Sequence, residues 1–425
     1  MLERPLRIAL LSYRGKPHCG GQGVYVRNLS RELVALGHDV EVIGGPPYPD
    51  LDPGVKLTRL ESLDLYNAVN PFRIPRPSEF RDAIDVLEYA GMCTAAFPEP
   101  LTFSLRARRH LAQRLEDFDV VHDNQCLGWG LTGIQRLGLP VLATVHHPIT
   151  VDRQAALDAA RTPWQKLSLR RWYGFTRMQA RVARRLPRLL TVSEQSAKDI
   201  VEAFGVERDR MEVVHNGVDE RCFKPRENVA RVPGRIVTTA SSDAPLKGLV
   251  PLLEAVAAVR QRRDAHLVIV GHRNEGGTAD LAMQRLGLAD DAVRFVSDLT
   301  DDELAELLAS AEVAVVPSLY EGFSLPAIEA MACGTPLVAT TGGALPEVAG
   351  RDGETALLVA PGEPGPLSEA ITRLLGDANL RDRIGEAGRR RVLERFTWRV
   401  AARRTLEEYA ALADVEPVRT IRTAA

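Results

Sequence analysis

The sequence predicts an α/β protein built from two doubly wound domains with parallel sheets. Its 425 residues are too many for one ordinary hydrophobic core and suit two. Short β-branched runs alternate with helical patterns, the arrangement that gives a parallel sheet with helices on both faces. The runs form two similar sets, one in each half of the chain, so two similar sheets are expected.

The apolar runs place the strands in chain order. In the first half, strands are predicted near Leu6–Ser12, Asp39–Ile43, Val120–His122, Val141–Val145, Leu189–Val192 and Met211–Val214. In the second half, they are predicted near Arg235–Thr239, Ala265–Val270, Val293–Phe295, Val313–Val316, Pro336–Ala339 and Ala356–Val359. From Leu60 to Arg109, prolines break any period, and no element is predicted there.

Turn and cap signals place the boundaries. Asn216-Gly217 is a strong turn signal and predicts a break between domains at residues 1–215 and 216–397. Thr300-Asp301-Asp302-Glu303 is a capping box, which explains this run of acids better than a metal site does. A last helix of about residues 398–414 opens at Phe396-Thr397-Trp398, and the tail after Asp414 is expected to be disordered.

Composition excludes several classes of protein. An apolar fraction of 45% is that of a globular protein, and a net charge of -2 gives no overall attraction to nucleic acid. Five scattered cysteines without a Cys-x-x-Cys pair argue against a disulfide framework and a zinc site. The first apolar run is too short for a signal peptide, and no stretch approaches the ~20 apolar residues of a spanning helix. A cytoplasmic protein is expected.

Two carboxylates mark the strongest candidate site. Glu321 lies in the loop after an apolar run, and Glu329 lies eight positions later in a helix that is expected to start near Ser324. The N-terminal end of a helix exposes backbone N–H groups and a positive dipole, which suit phosphate, and carboxylates accept hydrogen bonds from sugar and ribose hydroxyls. A sugar nucleotide combines these groups. The alternative is that Glu321 is a surface loop residue and that Glu329 occupies a solvated helix position.

The segment from Val315 to Pro346 resembles the donor-binding region of retaining GT-B glycosyltransferases of family 4, also called glycosyl transferases group 1. The resemblance rests on the acidic pair, on Gly334-Thr335-Pro336 and on Gly342-Gly343. It implies two Rossmann-like domains facing a central cleft, with the last helix completing the first domain. It also implies transfer of a hexosyl group from a nucleotide diphosphate sugar to a hydroxyl acceptor, which is lipid-linked, a glycan or a small molecule.

The resemblance assigns roles in the second domain. Glu321 holds the sugar, Glu329 holds the ribose, and Lys247, at the first helix of this domain, neutralises the diphosphate. Donor binding is also assigned to the backbone around Gly322, Phe323, Ser324 and Leu325. The arginine that usually precedes such a lysine is replaced here by Ser241 and Ser242, and Arg273 is a candidate substitute from the same sheet edge.

In the first domain, the resemblance points to the turn Gly20-Gly21-Gln22-Gly23, where Gly21 and Gly23 would approach the donor or acceptor. A plain tight turn is the alternative. Of two histidines after a strand, His146 matches the residue that contacts the donor sugar, and His147 is the fallback on the acceptor side. His122 and Asp123 are expected to line the acceptor pocket, although single histidines are more often structural.

The implied chemistry retains the configuration at the anomeric carbon. The acceptor enters on the face that the diphosphate leaves, and the departing phosphate oxygen takes the acceptor proton, so the protein supplies position and electrostatics. No metal ion and no cofactor beyond the sugar nucleotide are expected.

A basic segment suggests a further partner. From Arg161 to Leu190 there are nine Lys or Arg and no acid, with aromatic residues interleaved. Such a helix can lie on an anionic membrane surface, which would place the protein at the inner face of the membrane. The alternative is a solvated face whose aromatic residues turn into the core.

Other functions remain open at this level. A GT-B sugar-nucleotide epimerase would share the architecture, and a non-catalytic sugar-nucleotide-binding protein is favoured by the missing arginine. The sequence does not specify the donor base, the sugar, the acceptor or the oligomeric state, and it does not indicate whether Ser241 and Ser242 lower activity.

Overall fold

The computed structural model describes residues 4–15, 21–240 and 244–413. Of these, one compact unit holds the residues up to Val192, residues 196–214 and those from Ala401, and a second unit holds residues 193–195 and 215–400. The change from Val214 to His215 lies one residue from the predicted boundary between 215 and 216. The segment there is extended and not a turn, because Val218 N donates to Phe396 O at 2.9 Å.

Within the described residues, the first unit has a seven-stranded parallel sheet of order β3-β2-β1-β4-β5-β6-β7. Its elements are β1 Arg7–Ser12, α1 Gly21–Ala35, β2 Asp39–Gly44, β3 Lys56–Arg59, α2 Ala83–Cys93, α3 Glu99–Leu111, β4 Val120–Asn124, α4 Trp129–Arg136, β5 Val141–Val145, α5 Thr150–Ala159, α6 Pro163–Trp172, α7 Phe175–Ala183, β6 Leu189–Thr191, α8 Glu194–Phe204 and β7 Met211–Val213.

The described part of the second unit has a six-stranded parallel sheet of order β10-β9-β8-β11-β12-β13. Its elements are β8 Arg235–Thr239, α9 Leu249–Arg260, β9 His266–Val270, α10 Thr278–Leu286, β10 Val293–Val296, α11 Asp301–Ala309, β11 Val313–Val316, α12 Leu325–Ala332, β12 Leu337–Thr340, α13 Leu345–Ala349, β13 Leu357–Val359, α14 Pro364–Gly376 and α15 Ala378–Arg395. Two helices have residues in both units. The first two residues of α8, Glu194 and Gln195, belong to this unit, and the last helix, α16 Trp398–Ala413, begins in this unit and continues in the first.

The prediction of two parallel-sheet α/β domains is confirmed. The central strands are buried on both faces, as all five residues of Val141–Val145 show, and this is why they read as continuous apolar runs. The capping box also forms, since Glu303 N donates to Thr300 Oγ1 at 3.3 Å and Thr300 N donates to Glu303 Oε2 at 2.8 Å. Beyond Ala413, the predicted disordered tail lies outside the described residues.

The sequence left the region between Leu60 and Arg109 without predicted elements. Two helices, α2 and α3, lie where no element was predicted, and the edge strand β3 just before this region was also missed. Pro98 and Pro100 do not break α3, because they lie at its start, where a proline leaves no helical hydrogen bond unmade. Asp82 caps α2 by accepting hydrogen bonds from Ile84 N and Asp85 N.

Candidate functional site

Two loops at the carboxyl edge of the second sheet bring Lys247 and Glu321 together. The loops follow β8 and β11, which are neighbours in the sheet. Lys247 Nζ lies 2.8 Å from Glu321 Oε1, and 36% of the lysine side chain is exposed against 12% of the glutamate side chain. The structure therefore places two predicted donor-binding residues in one cluster, paired with each other.

Gly248 permits this approach. Its φ of +65° is left-handed, and a Cβ atom there would lie 1.9 Å from Pro317 O. Leu319 N donates to Leu246 O at 2.7 Å, which joins the two loops by their backbones. Lys247 ends a short 3₁₀ turn and α9 begins at Leu249, so the α-helix starts two residues after the lysine that was predicted to begin it.

Ser318 and the Gly342-Gly343 turn hold Glu321 in place. Ser318 Oγ donates to Glu321 Oε1 at 2.6 Å, and Ala344 N donates to Glu321 O at 2.8 Å. Gly343 has a φ of +63°, and a Cβ atom there would lie 2.3 Å from Glu321 O. Ser318 was not among the predicted site residues, because a single serine after a strand carries no distinctive signal.

The start of α12 follows directly. Ser324 is the N-cap, its Oγ accepts from Ala327 N at 3.4 Å, and its φ of +147° is strained for a residue with a side chain. Phe323 is buried against the ring of Phe396, with centroids 5.9 Å apart. Gly322 O accepts from Ser193 Oγ at 2.5 Å. The predicted donor-binding segment, which ends at Leu325 at the first helical position, is thus fixed on a rigid helix entrance.

Glu329 lies five residues into α12 and is half-buried. Among the described residues, its carboxylate forms neither a hydrogen bond nor an ion pair. Burial, together with the charge of Asp301, raises the pKa of Glu329 to about 7. A ligand that donates hydrogen bonds to the carboxylate would stabilise its ionised form and lower this pKa.

Arg273 does not join the Lys247–Glu321 cluster. Its guanidinium lies 2.5 Å from Asp280 Oδ1 and 3.5 Å from Asp290 Oδ1. Asp280 also accepts from Gly276 N at 3.0 Å, so the pair closes the loop between β9 and α10. Arg273 was predicted to substitute for the missing arginine, but its charge is already neutralised by these two aspartates. Ser241 and Ser242 lie outside the described residues.

In the first unit, His146 follows β5 and is half-buried. Its Nε2 lies 2.7 Å from Asn124 Oδ1, its backbone N donates to Gln125 Oε1 at 2.7 Å, and the Tyr25 ring meets it edge-on at 4.8 Å between centroids. Burial and the neighbouring His147 lower the pKa of His146 to about 3. The ring is therefore neutral at pH 7.

His122 occupies a different environment from the predicted acceptor pocket. It is fully buried, with Nδ1 2.6 Å from Tyr409 Oη and Nε2 2.7 Å from Thr144 Oγ1. Both ring nitrogens are occupied, so the ring supports packing between β4, β5 and α16. His122 therefore fits the structural role that single histidines more often have.

The remaining predicted residues of this unit lie at the same sheet edge. Asp123 is fully buried, accepts from Leu127 N at 2.9 Å, and has its pKa raised to about 7 by burial. His147 is exposed, and its carbonyl accepts from Gln125 Nε2 at 2.9 Å. Gly21 and Gly23 lie in the first turn of α1, while Gly20 lies outside the described residues.

No group of three or more His, Cys, Asp or Glu side chains among the described residues is placed to hold a metal ion. No helix within these residues is long and apolar enough to cross a membrane.

Known proteins resemble the chain over nearly its whole length. The model of Glycosyltransferase Family 4 matches residues 19–221, and that of Glycosyl transferases group 1 matches residues 233–377. An MMP alpha-(1->4)-mannosyltransferase of Mycolicibacterium hassiacum is 56% identical over 95% of this chain and 98% of its own length. A D-inositol 3-phosphate glycosyltransferase of Streptomyces bingchenggensis is 31% identical over 96% and 90%. A sucrose-phosphate synthase of Thermosynechococcus elongatus has a TM-score of 0.69 and 25% identity, over 96% and 99%.

The two parallel-sheet Rossmann-like units and these matches define a glycosyltransferase of the GT-B class. The chain belongs to glycosyltransferase family 4, the glycosyl transferases group 1. The predicted family, fold and enzyme class are confirmed.

Proposed function

We propose that the protein is a mannosyltransferase that moves a mannosyl group from a nucleoside diphosphate mannose to a saccharide hydroxyl, with retention of configuration. The choice of sugar rests on the relative that is 56% identical and is named as an alpha-(1->4)-mannosyltransferase. The structural observation that carries the proposal is the Lys247–Glu321 pair beside the entrance of α12. It provides a cation and a carboxylate at the place where a phosphate and a sugar would meet.

The proposed roles follow from this geometry. Lys247 offers its ammonium to the diphosphate, whose charge grows as the bond to the anomeric carbon breaks. Glu321 accepts hydrogen bonds from sugar hydroxyls, and His146 keeps the role of sugar contact that the family resemblance assigns to it. The acceptor oxygen bonds to the anomeric carbon while its proton passes to the departing phosphate oxygen. Neither a metal ion nor a cofactor takes part in the proposed step.

Glu329 is proposed to hold the ribose diol. Two hydroxyls donate best to an ionised carboxylate, so ligand binding should lower a pKa that lies at about 7 in the free protein. Because folding raises this pKa above the ordinary range, the free protein loses stability as pH rises from about 4.5 to 7. Affinity for the nucleotide should instead increase with pH up to about pH 8, because the ligand binds the ionised carboxylate.

A thermal-shift panel of GDP-, UDP- and ADP-sugars tests this assignment, because a ligand that prefers the folded state raises the melting temperature. We expect one family of nucleotides to give a shift that grows between pH 6 and 8, and Glu329→Gln to remove most of it. Both phosphates of a nucleoside diphosphate sugar are esterified and stay fully ionised between pH 6 and 8, so the difference between the wild-type protein and Glu329→Gln isolates the carboxylate. An equal shift in both proteins would contradict the ribose contact.

We also propose that α6 contacts an anionic membrane surface. None of its residues is buried, Trp164 is 80% exposed and Leu167 is 48% exposed. The side chains of Arg161, Lys166 and Arg170 form no ion pair with any described residue, and a basic helix with an exposed tryptophan suits an anionic interface. Not every aromatic residue of the basic segment is available: the Trp172 ring packs within 5.5 Å of Tyr66 and 5.2 Å of Phe97, between centroids.

Vesicle flotation tests the membrane contact. The wild-type protein should float with phosphatidylserine-containing vesicles and not with phosphatidylcholine alone. Lys166→Glu/Arg170→Glu should abolish flotation and leave transfer to a water-soluble acceptor unchanged. Arg383→Glu/Arg390→Glu makes the same charge change at exposed positions of the second unit and should float normally. Absence of wild-type flotation at low ionic strength would exclude the contact.

A further inference from the structure

A fully buried asparagine controls the ring of His146. Asn124 is the last residue of β4, and its side-chain amide bridges two elements of the first unit. Its Nδ2 donates to Gln22 O, in the first turn of α1, at 3.2 Å, and its Oδ1 lies 2.7 Å from His146 Nε2. A carbonyl oxygen accepts only, so the backbone bond fixes the orientation of the amide and turns its acceptor toward the ring.

This contact determines the position of the imidazole proton. Since Asn124 Oδ1 can only accept, His146 Nε2 must carry the hydrogen. The ring is neutral at pH 7, so Nδ1 then carries a lone pair. Among the described residues, no hydrogen bond reaches Nδ1, and His146 as a residue is half-buried.

Neighbouring groups hold the ring in one orientation. Gln125 Oε1 accepts from the His146 backbone N, Ser196 Oγ donates to the His146 carbonyl at 3.1 Å, and the Tyr25 ring packs edge-on against the imidazole. The Tyr25 hydroxyl is itself fixed by Thr144 Oγ1 at 2.9 Å. The two backbone bonds fix the main chain of His146, and the packed Tyr25 ring restricts a flip that would exchange the two ring nitrogens.

We propose that Asn124 is a positioning residue that locks His146 in the Nε2–H tautomer, so that Nδ1 accepts a hydrogen bond from a hydroxyl of the donor sugar. This proposal rests on the proposed function and deepens it, because it makes His146 the acceptor and the sugar hydroxyl the donor of their hydrogen bond. His146 would select a hydroxyl at that point of the sugar and reject a position without a hydrogen to donate. Asn124 itself would not touch the substrate.

The tautomer can be read without any substrate. In the full chain with ¹⁵N-labelled histidine rings, two-bond ¹H–¹⁵N correlations distinguish the two tautomers, and the His146 signals are those missing from His146→Gln. We expect Nε2–H in the wild-type protein and a mixture of tautomers in Asn124→Ala. Thr144→Val, which removes contacts to Tyr25 and His122 only, should keep Nε2–H. Nδ1–H in the wild type, or unchanged Nε2–H in Asn124→Ala, would overturn the proposal.

Asn124→Asp provides a second measurement if the alanine variant fails to fold. The charged groups and rings around His146 are His147, His122 and Tyr25, and a new carboxylate at position 124 would face Nε2 directly. The pKa of His146 should rise from about 3 into a range that the same spectra can titrate. An unshifted His146 would count against the contact.

Kinetics separate this inference from the proposed function. Asn124→Ala should lower kcat/KM for the donor about 5- to 10-fold, the effect of one lost hydrogen bond, and a 4-deoxy or 6-deoxy donor should erase the difference if its missing hydroxyl is the partner. Wild-type kcat/KM in His146→Gln would refute the sugar contact of His146. The spectra would still report whether Asn124 sets the tautomer.

Discussion

Lys247→Ala should lower kcat/KM for sugar transfer by about 10²- to 10³-fold, the usual effect of removing one preorganised donor from a developing anion. The loss should be large because no second cation of the described residues joins the Lys247–Glu321 cluster, and Arg273 is held by Asp280. Steady-state kinetics with saturating acceptor, together with the affinity for the nucleoside diphosphate product, measures the effect.

Lys224→Ala is the matched control, since it removes an exposed lysine of the same unit that lies on another segment. It should leave kcat/KM unchanged. Lys247→Arg should recover part of the activity, because it restores the charge with a different shape. The melting temperature of Lys247→Ala should stay close to that of the wild type, because a partly exposed ion pair contributes only about 0–1 kcal/mol. A loss of activity below 10-fold would show that the diphosphate charge is met elsewhere.

The sequence predicted most of the fold because the strands of both sheets are buried on both faces and therefore read as unbroken apolar runs. It failed from Leu60 to Arg109 for a local reason. A proline at the start of a helix, as in α3, leaves the helix intact. The hydrophobic periodicity of the sequence does not distinguish such a proline from one that ends a helix. The turn signal of Asn216-Gly217 was also misleading. The chain there is extended, because Val218 pairs with the segment at Phe396 and Thr397.

The candidate site was predicted in parts and not as an arrangement. The carboxylates and the lysine have motif signals, but the adjacency of β8 and β11, and hence the Lys247–Glu321 bond, depends on strand order. Ser318 and Asn124 act through other side chains and carry no signal of their own. His122 shows the converse, since its position at a strand end suggested a ligand contact while the packing of Tyr409 buries it.

Glu321→Gln should change catalysis and product binding in opposite directions. In the free protein, Glu321 shares its carboxylate between Lys247 and Ser318. Glutamine has nearly the same shape, but it loses the charge that strengthens hydrogen bonds to sugar hydroxyls, and such bonds contribute about 1.5–3 kcal/mol each. Transfer should therefore fall about 10- to 100-fold. At the same time, Lys247 loses its counter-charge and should bind a nucleoside diphosphate about 3- to 10-fold more tightly.

Calorimetric titration with GDP and UDP, beside transfer kinetics, measures both effects. Ser318→Ala is the matched control, because it removes a hydrogen bond from the same Glu321 oxygen and leaves the charge of the carboxylate in place. It should lower transfer modestly without tightening product binding. In Lys247→Ala/Glu321→Gln, product affinity should return to that of Lys247→Ala, because the gain requires the free ammonium. Unchanged product affinity in Glu321→Gln would mean that the diphosphate does not compete with Glu321 for Lys247, and the phosphate would have to bind at another part of the sheet edge.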